Sequence, residues 1–131
     1  MSDYKTPYDA ADAAAEAVRA LNHLTIDGRW AESPSDVSDV AQALARLSQR
    51  LPQALQQVYR ELDRLDRADA IRMDNGTDPG VEAGRALAAL KRTRALAEQL
   101  QSSMLTVAQG LDHMGGHFDP ANAVEFDNED E

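Results

Sequence analysis

The chain has 131 residues, no cysteine, and a formal net charge of −10 from 13 basic and 23 acidic side chains. That length suits one domain, and without cysteine there is no disulfide framework, thiolate nucleophile or Cys-based metal site. No run of 18 apolar residues occurs, and the start, MSDYKTPYDA, lacks a basic then apolar leader, so neither a membrane span nor a secretory signal is expected.

Alanine and leucine dominate the apolar set, with 23 and 14 residues against 9 valines and isoleucines together. Ala and Leu lose little on entering a helix, whereas β-branched residues suit a pleated surface. The composition therefore predicts an all-α chain. Because alanine buries little area, its core should be lean, and close packing or self-association should supply stability.

A first helix is expected over 7–25. Thr6 is its N-cap, Pro7 fits the first position, and Asp9 and Asp12 lie in the first turns. Its buried stripe would be Ala11, Ala14, Val18, Leu21 and Leu24. Residues 26–34 read as a loop, with Gly28 as the breaker and Trp30 as its large apolar anchor.

A second helix is expected over 36–72. Its apolar series is Val37, Val40, Leu44, Leu47, Leu51, Leu55, Val58, Leu62 and Leu65, a coiled-coil-like seam with one irregular step beside Pro52. The stripe stays in phase across the proline, so a single kinked helix is the preferred reading. A split at Pro52, giving four helices in all, is the alternative.

Residues 73–79, MDNGTDP, are dense in turn formers, and Asp78-Pro79 suits a cap and first position. The third helix is expected over 79–114, with Ala86, Leu90, Thr93, Ala97, Leu100, Met104, Val107, Leu111 and Met114 as its seam. Gly115-Gly116 would end it. The expected architecture is an elongated antiparallel bundle of three helices over 1–116, with an acidic, disordered tail over 117–131. Helices two and three would each run about 50–55 Å. A shorter first helix cannot cover such a hairpin, which points to a homodimer through Leu90, Leu100, Met104, Val107 and Leu111.

The charge is uneven. Residues 1–35 carry −3, residues 36–113 carry −1, and residues 114–131 carry −6. A block of like charge with few apolar residues favours disorder. On this reading Glu125, Asp127, Glu129 and Asp130 face a protein partner, as does the basic run Arg85, Arg92 and Arg94; Trp30 reads first as a plug over the bundle end and, in the alternative, as a further partner anchor. Folding about Gly76 would bring residues 85–94 opposite roughly 58–67, so that Arg92 and Arg94 approach Glu61 or Asp63, the favoured alternative to partner binding.

Motifs for chemistry are weak. His113 and His117 have i,i+4 spacing, but Gly115-Gly116 falls between them and the glutamate of a zinc-protease helix is missing. A metal site there is a minor reading. Asp63/Asp66 and Asp9/Asp12 have arginine or solvent for neighbours, and Ser102, Asp112 and His113 lack a nucleophile elbow. Gly80-x-x-x-Gly84 lacks the G-K-[ST] of a phosphate loop and reads as a packing motif. Direct nucleic-acid binding is not expected from a net acidic chain with 5% aromatic residues.

The stretch DAADAAAEAVRALNHLTIDG, a Pro-Ser-Asp helix start and RLPQALQQV resemble small, uncharacterised all-helical proteins of high-GC actinobacteria and their mobile elements. The resemblance covers the first half of the chain. It implies a helical fold and a cytoplasmic setting, and carries no catalytic residue across. The expected function is a non-enzymatic, self-associating interaction module, an adaptor or regulator, without cofactor or metal. The alternative is an acidic inhibitor or nucleic-acid mimic that blocks a DNA- or RNA-binding protein.

Overall fold

A computed structural model describes residues 3–115, and every regular element among them is helical. Helix α1 spans Pro7–Thr25, α2 spans Pro34–Arg67 and α3 spans Pro79–Asp112. Contacts divide the chain into two compact units, Met1–Glu32 and a second from Ser33 onward.

The first unit is α1 and its following turn. Thr6 caps it, its side chain accepting from the Asp9 N–H at 3.1 Å, with Pro7 immediately after. The helix ends where Gly28 and Arg29 take positive φ values of 69° and 54°, and the Gly28 N–H donates to the Thr25 carbonyl. The expected buried stripe is not realised. No residue of α1 is buried; Val18 and Leu21 are half-buried, whereas Ala11, Ala14 and Leu24 are exposed. A single helix taken by itself provides no second layer for its apolar side.

The second unit is an antiparallel hairpin of α2 and α3, each of 34 residues. Helix α2 runs uninterrupted through Pro52, so the alternative of two helices is not realised. It ends at Arg67, five residues before the expected position. There Asp69 takes a φ of 54°, a left-handed conformation that aspartate tolerates, and the Ala70 N–H returns to the Leu65 carbonyl at 3.0 Å. In the connection, Asn75 Oδ1 accepts from the backbone and hydroxyl of Thr77, and Gly76 has a φ of 78°. Asp78 then caps α3 by accepting from the Gly80 N–H at 2.9 Å. Helix α3 stops at Asp112, with His113 as C-cap, two residues short of the expected end. The tail, with Glu125, Asp127, Glu129 and Asp130, lies outside the described residues, as does His117.

Three cross-hairpin relationships fix the register. Gln42 donates to the Ala108 carbonyl, Arg94 donates to Gln56, and the Lys91 ammonium stands 5.5 Å from the centre of the Tyr59 ring; in each pair the residue numbers add to 150. The first pair precedes Pro52 and the others follow it. The proline therefore does not slip the pairing.

The line of closest approach is built from small side chains. Ser38, Ala41, Ala45 and Ser48 are the buried residues of α2, and Ala83, Ala97 and Ala108 those of α3. Ser48 Oγ donates to the Ala45 carbonyl within its own helix, which removes the cost of burying its hydroxyl. Here the sequence expectation is corrected: the fully buried positions of the contact line are small, and the large residues on it, such as Leu87, Leu90 and Met104, are half-buried. Leu100 and Val107 are 46% and 45% exposed, and Val58 is 54% exposed. Methyl-sized residues allow the backbones to approach, leaving the leucines to flank the line. The lean core is accordingly real. At Gly84, by contrast, an added Cβ would meet open space, so this glycine serves no close backbone approach.

Candidate functional site

The contact line organises both sides of the hairpin. On α2 it runs through Ser38, Ala41, Ala45, Ser48, Pro52 and Tyr59; on α3 it runs through Ala83, Leu87, Leu90, Arg94, Ala97, Met104 and Ala108. One residue step turns a helix by about 100°. The residues one step before the line on α2 are Val37, Val40, Leu44, Leu47, Leu51 and Val58. On α3 the same step selects Glu82, Ala86, Ala89, Thr93, Leu96, Leu100, Ser103 and Val107. In a facing antiparallel pair, equal steps on the two helices turn to the same side of the plane through their axes. Both rows therefore belong to one face, and its charge is confined to Glu82 at the connection end, which is paired to Arg85 on its own helix.

The step after the line gives the opposite face. On α2 it selects Gln42, Arg46, Gln49, Gln53, Gln56, Arg60 and Asp63, all polar. On α3 it includes Lys91, Glu98, Ser102 and Gln109, with Leu105, 45% exposed, as the large apolar residue of that row. The cross-hairpin polar contacts all belong to this side. A groove of about 380 Å3 lies here, lined by Leu55, Gln56, Tyr59, Leu90, Lys91, Arg94, Ala95 and Glu98. Arg94 is engaged by Glu98 at 3.3 Å and by Gln56.

The residues expected from sequence fall in different places. Leu90, Met104 and Leu111 are half-buried, whereas Leu100 and Val107 stand on the open apolar face, joined by Leu96 at 62% exposure. Trp30 belongs to the first unit and is 40% exposed. Arg85 pairs with Glu82 at 3.2 Å on its own helix, and Arg92 is exposed. The expected approach of Arg92 and Arg94 to Glu61 or Asp63 is not found. Arg64 takes Glu61, and Arg67 takes Asp63 at 2.9 Å. The register explains it: position 61 stands opposite Ala89 and position 63 opposite Leu87, so neither acid meets an arginine across the hairpin.

These ion pairs are exposed and within single helices, where they contribute little. Glu61 lies below its ordinary pKa because Arg64 hydrogen-bonds it and, second, because of the positive charge. Among the described residues, no three His, Asp or Glu side chains gather as a metal-binding group, and no helix is long and apolar enough to cross a membrane.

The signal for the polar face was present in sequence. Gln42, Gln49 and Gln56 recur every seven residues, as do Arg46, Gln53, Arg60 and Arg67. The Ser38–Ala41–Ala45–Ser48 row lies between these and the leucines, and marks the contact line. In comparisons with protein-family models, with curated proteins and with solved structures, nothing matches this chain.

Proposed function

We propose that the hairpin is a non-enzymatic protein–protein interaction module that associates with itself through its apolar face, acting as an adaptor or regulator. One observation carries the reading: a largely apolar row on each helix turns to the same side, while the opposite side is polar. Between Val37 and Val58, and between Ala86 and Val107, each row covers about 32 Å of helix. A contiguous apolar surface of that extent, rimmed by polar residues, is characteristic of an association site. The acidic tail, with −6 over its last 18 residues, is the proposed element for a second, basic protein partner.

The competing reading, an acidic mimic of nucleic acid, would want carboxylates arrayed on a rigid surface. Glu16, Glu61, Asp63, Glu82 and Glu98 are instead each matched to an arginine on the same helix, which favours the interaction module.

Sedimentation equilibrium over a wide concentration range tests it. The full chain should reach twice its 14.3 kDa mass, and the doubly substituted Leu100→Glu, Val107→Glu chain should remain a monomer with unchanged helicity. A wild-type chain that stays monomeric at all concentrations would sink the proposal. Removing residues 117–131 should leave the dimer intact and abolish only capture of a basic partner.

A further inference from the structure

The apolar face of the hairpin is uneven along its length. On α3 the half nearest the connection presents, after Glu82, the small residues Ala86, Ala89 and Thr93, and the far half presents Leu96, Leu100 and Val107 with Ser103 between the last two. The α2 row has no such gradient, being valine and leucine from Val37 to Val58 apart from Ala54. A partner that covers this face evenly must be large where α3 is small, and small where it is large.

We propose that the partner is a second copy laid face to face with its connection at the opposite end. The two-fold axis lies in the interface, perpendicular to the helices, and passes near the middle of α3, between Leu96 and Ala97. Each α3 then packs on its counterpart, the Leu96–Val107 half of one against the Ala86–Thr93 half of the other. Each α2 packs on its counterpart with valine and leucine against valine and leucine. Both layers keep one spacing from end to end, and the product is an antiparallel four-helix bundle.

The other two-fold arrangement, with both connections at one end, sets α3 against α2 of the second copy. Large residues then oppose large ones at the far end, and alanines oppose leucines at the near end. Close-packed layers cannot hold one spacing under that gradient. Area supports a second copy as the occupant. A face about 32 Å long and about 20 Å wide buries about 640 Å2 on each copy, about 1,300 Å2 in all, and stable interfaces bury about 1,200–2,000 Å2 in total. The charge on the two rows, Glu82 at the connection end, is already paired with Arg85 on its own helix at 3.2 Å.

This arrangement rests on the self-association reading, and the test separates the two. The natural chain has no cysteine, so Val81→Cys and Gln99→Cys each create a single attachment point for a nitroxide label. Both positions are exposed. They lie eighteen residues, five full turns, apart on α3, and so point the same way, about 180° from the contact line. Inter-label distances are measured by pulsed electron resonance on the full-length dimer, with sedimentation on the same samples. The antiparallel bundle expects a short distance at Gln99, about 20 Å. At Val81 it expects more than 45 Å, since the two labels are displaced about 46 Å along the axis. Equal distances at the two positions would overturn the arrangement and leave self-association standing. A monomeric mass without inter-label coupling, the result if α1 or nothing occupies the face, would overturn both.

Discussion

Gln42 and Ala108, 66 residues apart in sequence, are joined by a hydrogen bond from the Gln42 side-chain N–H to the Ala108 carbonyl oxygen at 3.0 Å. Ala108 is 3% exposed, so the bond lies at the edge of the tightest part of the hairpin. Its acceptor is a backbone group that also belongs to the α3 ladder. The glutamine thus ties the polar face to the contact line and fixes the register at the end remote from the connection.

Gln42→Ala removes that bond while leaving the carbonyl its position in the helix. Partly buried neutral hydrogen bonds contribute about 0.5–1.5 kcal/mol, and a loss of that size is expected in urea unfolding at fixed protein concentration. Gln49→Ala, one heptad on and exposed, should change stability by less than about 0.5 kcal/mol. Equal effects from the two substitutions would show that the cross-hairpin bond is not populated in solution.

Methyl-sized side chains at the contact line give a second expectation. Ala108→Leu adds three carbons where the helices meet, and overpacking of this kind costs about 1–3 kcal/mol. Ala88→Leu lies on the polar side of the same helix and is exposed, so it should be close to neutral. Thermal unfolding followed by circular dichroism distinguishes them: a lower midpoint for the first and an unchanged one for the second. A neutral Ala108→Leu would mean that the helices stand further apart than the small-residue line implies.

The same contact line explains what was legible in the sequence. Caps announced themselves chemically: Thr6-Pro7 and Asp78-Pro79 open helices where expected, because a side-chain acceptor followed by proline has little else to do. Helix type and the hairpin connection followed from composition and from the turn residues around Gly76. The inner face did not follow, because hydrophobic periodicity selects the largest apolar residues. Two helices pair most closely through the smallest. Leu44 and Leu51 are conspicuous in sequence, whereas Ala41, Ala45 and Ser48 are not, and only the latter sit where the backbones approach. The displacement is one residue, enough to turn an expected interhelical seam into an outward face. Pairing of Arg94 with Glu98 in place of Glu61 has a similar origin, since a register differing by two residues puts different side chains opposite one another.

Pro52 offers a third test. Inside α2 it lacks the N–H that would donate to the Ser48 carbonyl, and an interior proline costs a helix up to about 3 kcal/mol. Pro52→Ala restores the donor but releases the unfolded chain from its restriction, returning about 0.4–1 kcal/mol to the unfolded side. The net expectation is stabilisation of about 1–2 kcal/mol, read as a higher urea midpoint with an unchanged slope. Since the pairs on both sides of the proline share one register, no rearrangement of the hairpin should accompany it. A destabilised variant would show that the proline shapes α2 to fit α3.

Glu61 supplies the pH test. Arg64 donates to Glu61 Oε1 from Nε at 3.1 Å and from a terminal guanidinium nitrogen, and the hydrogen bond first, then the charge, lowers the carboxyl pKa from 4.5. A depressed carboxyl pKa in the folded state means that its contribution is present above the unfolded value and is lost as pH falls through the folded one. The pair is fully exposed, so the readout is the titration itself. The Glu61 side-chain carbon signal, followed by nuclear magnetic resonance, should titrate below the midpoint of a free glutamate. In Arg64→Gln the midpoint should return toward 4.5, and salt should move the wild-type midpoint the same way by screening the charge. Identical midpoints in the two proteins would mean that the arginine leaves the carboxylate in solution, and that the i,i+3 pair contributes nothing to the loop-proximal half of α2.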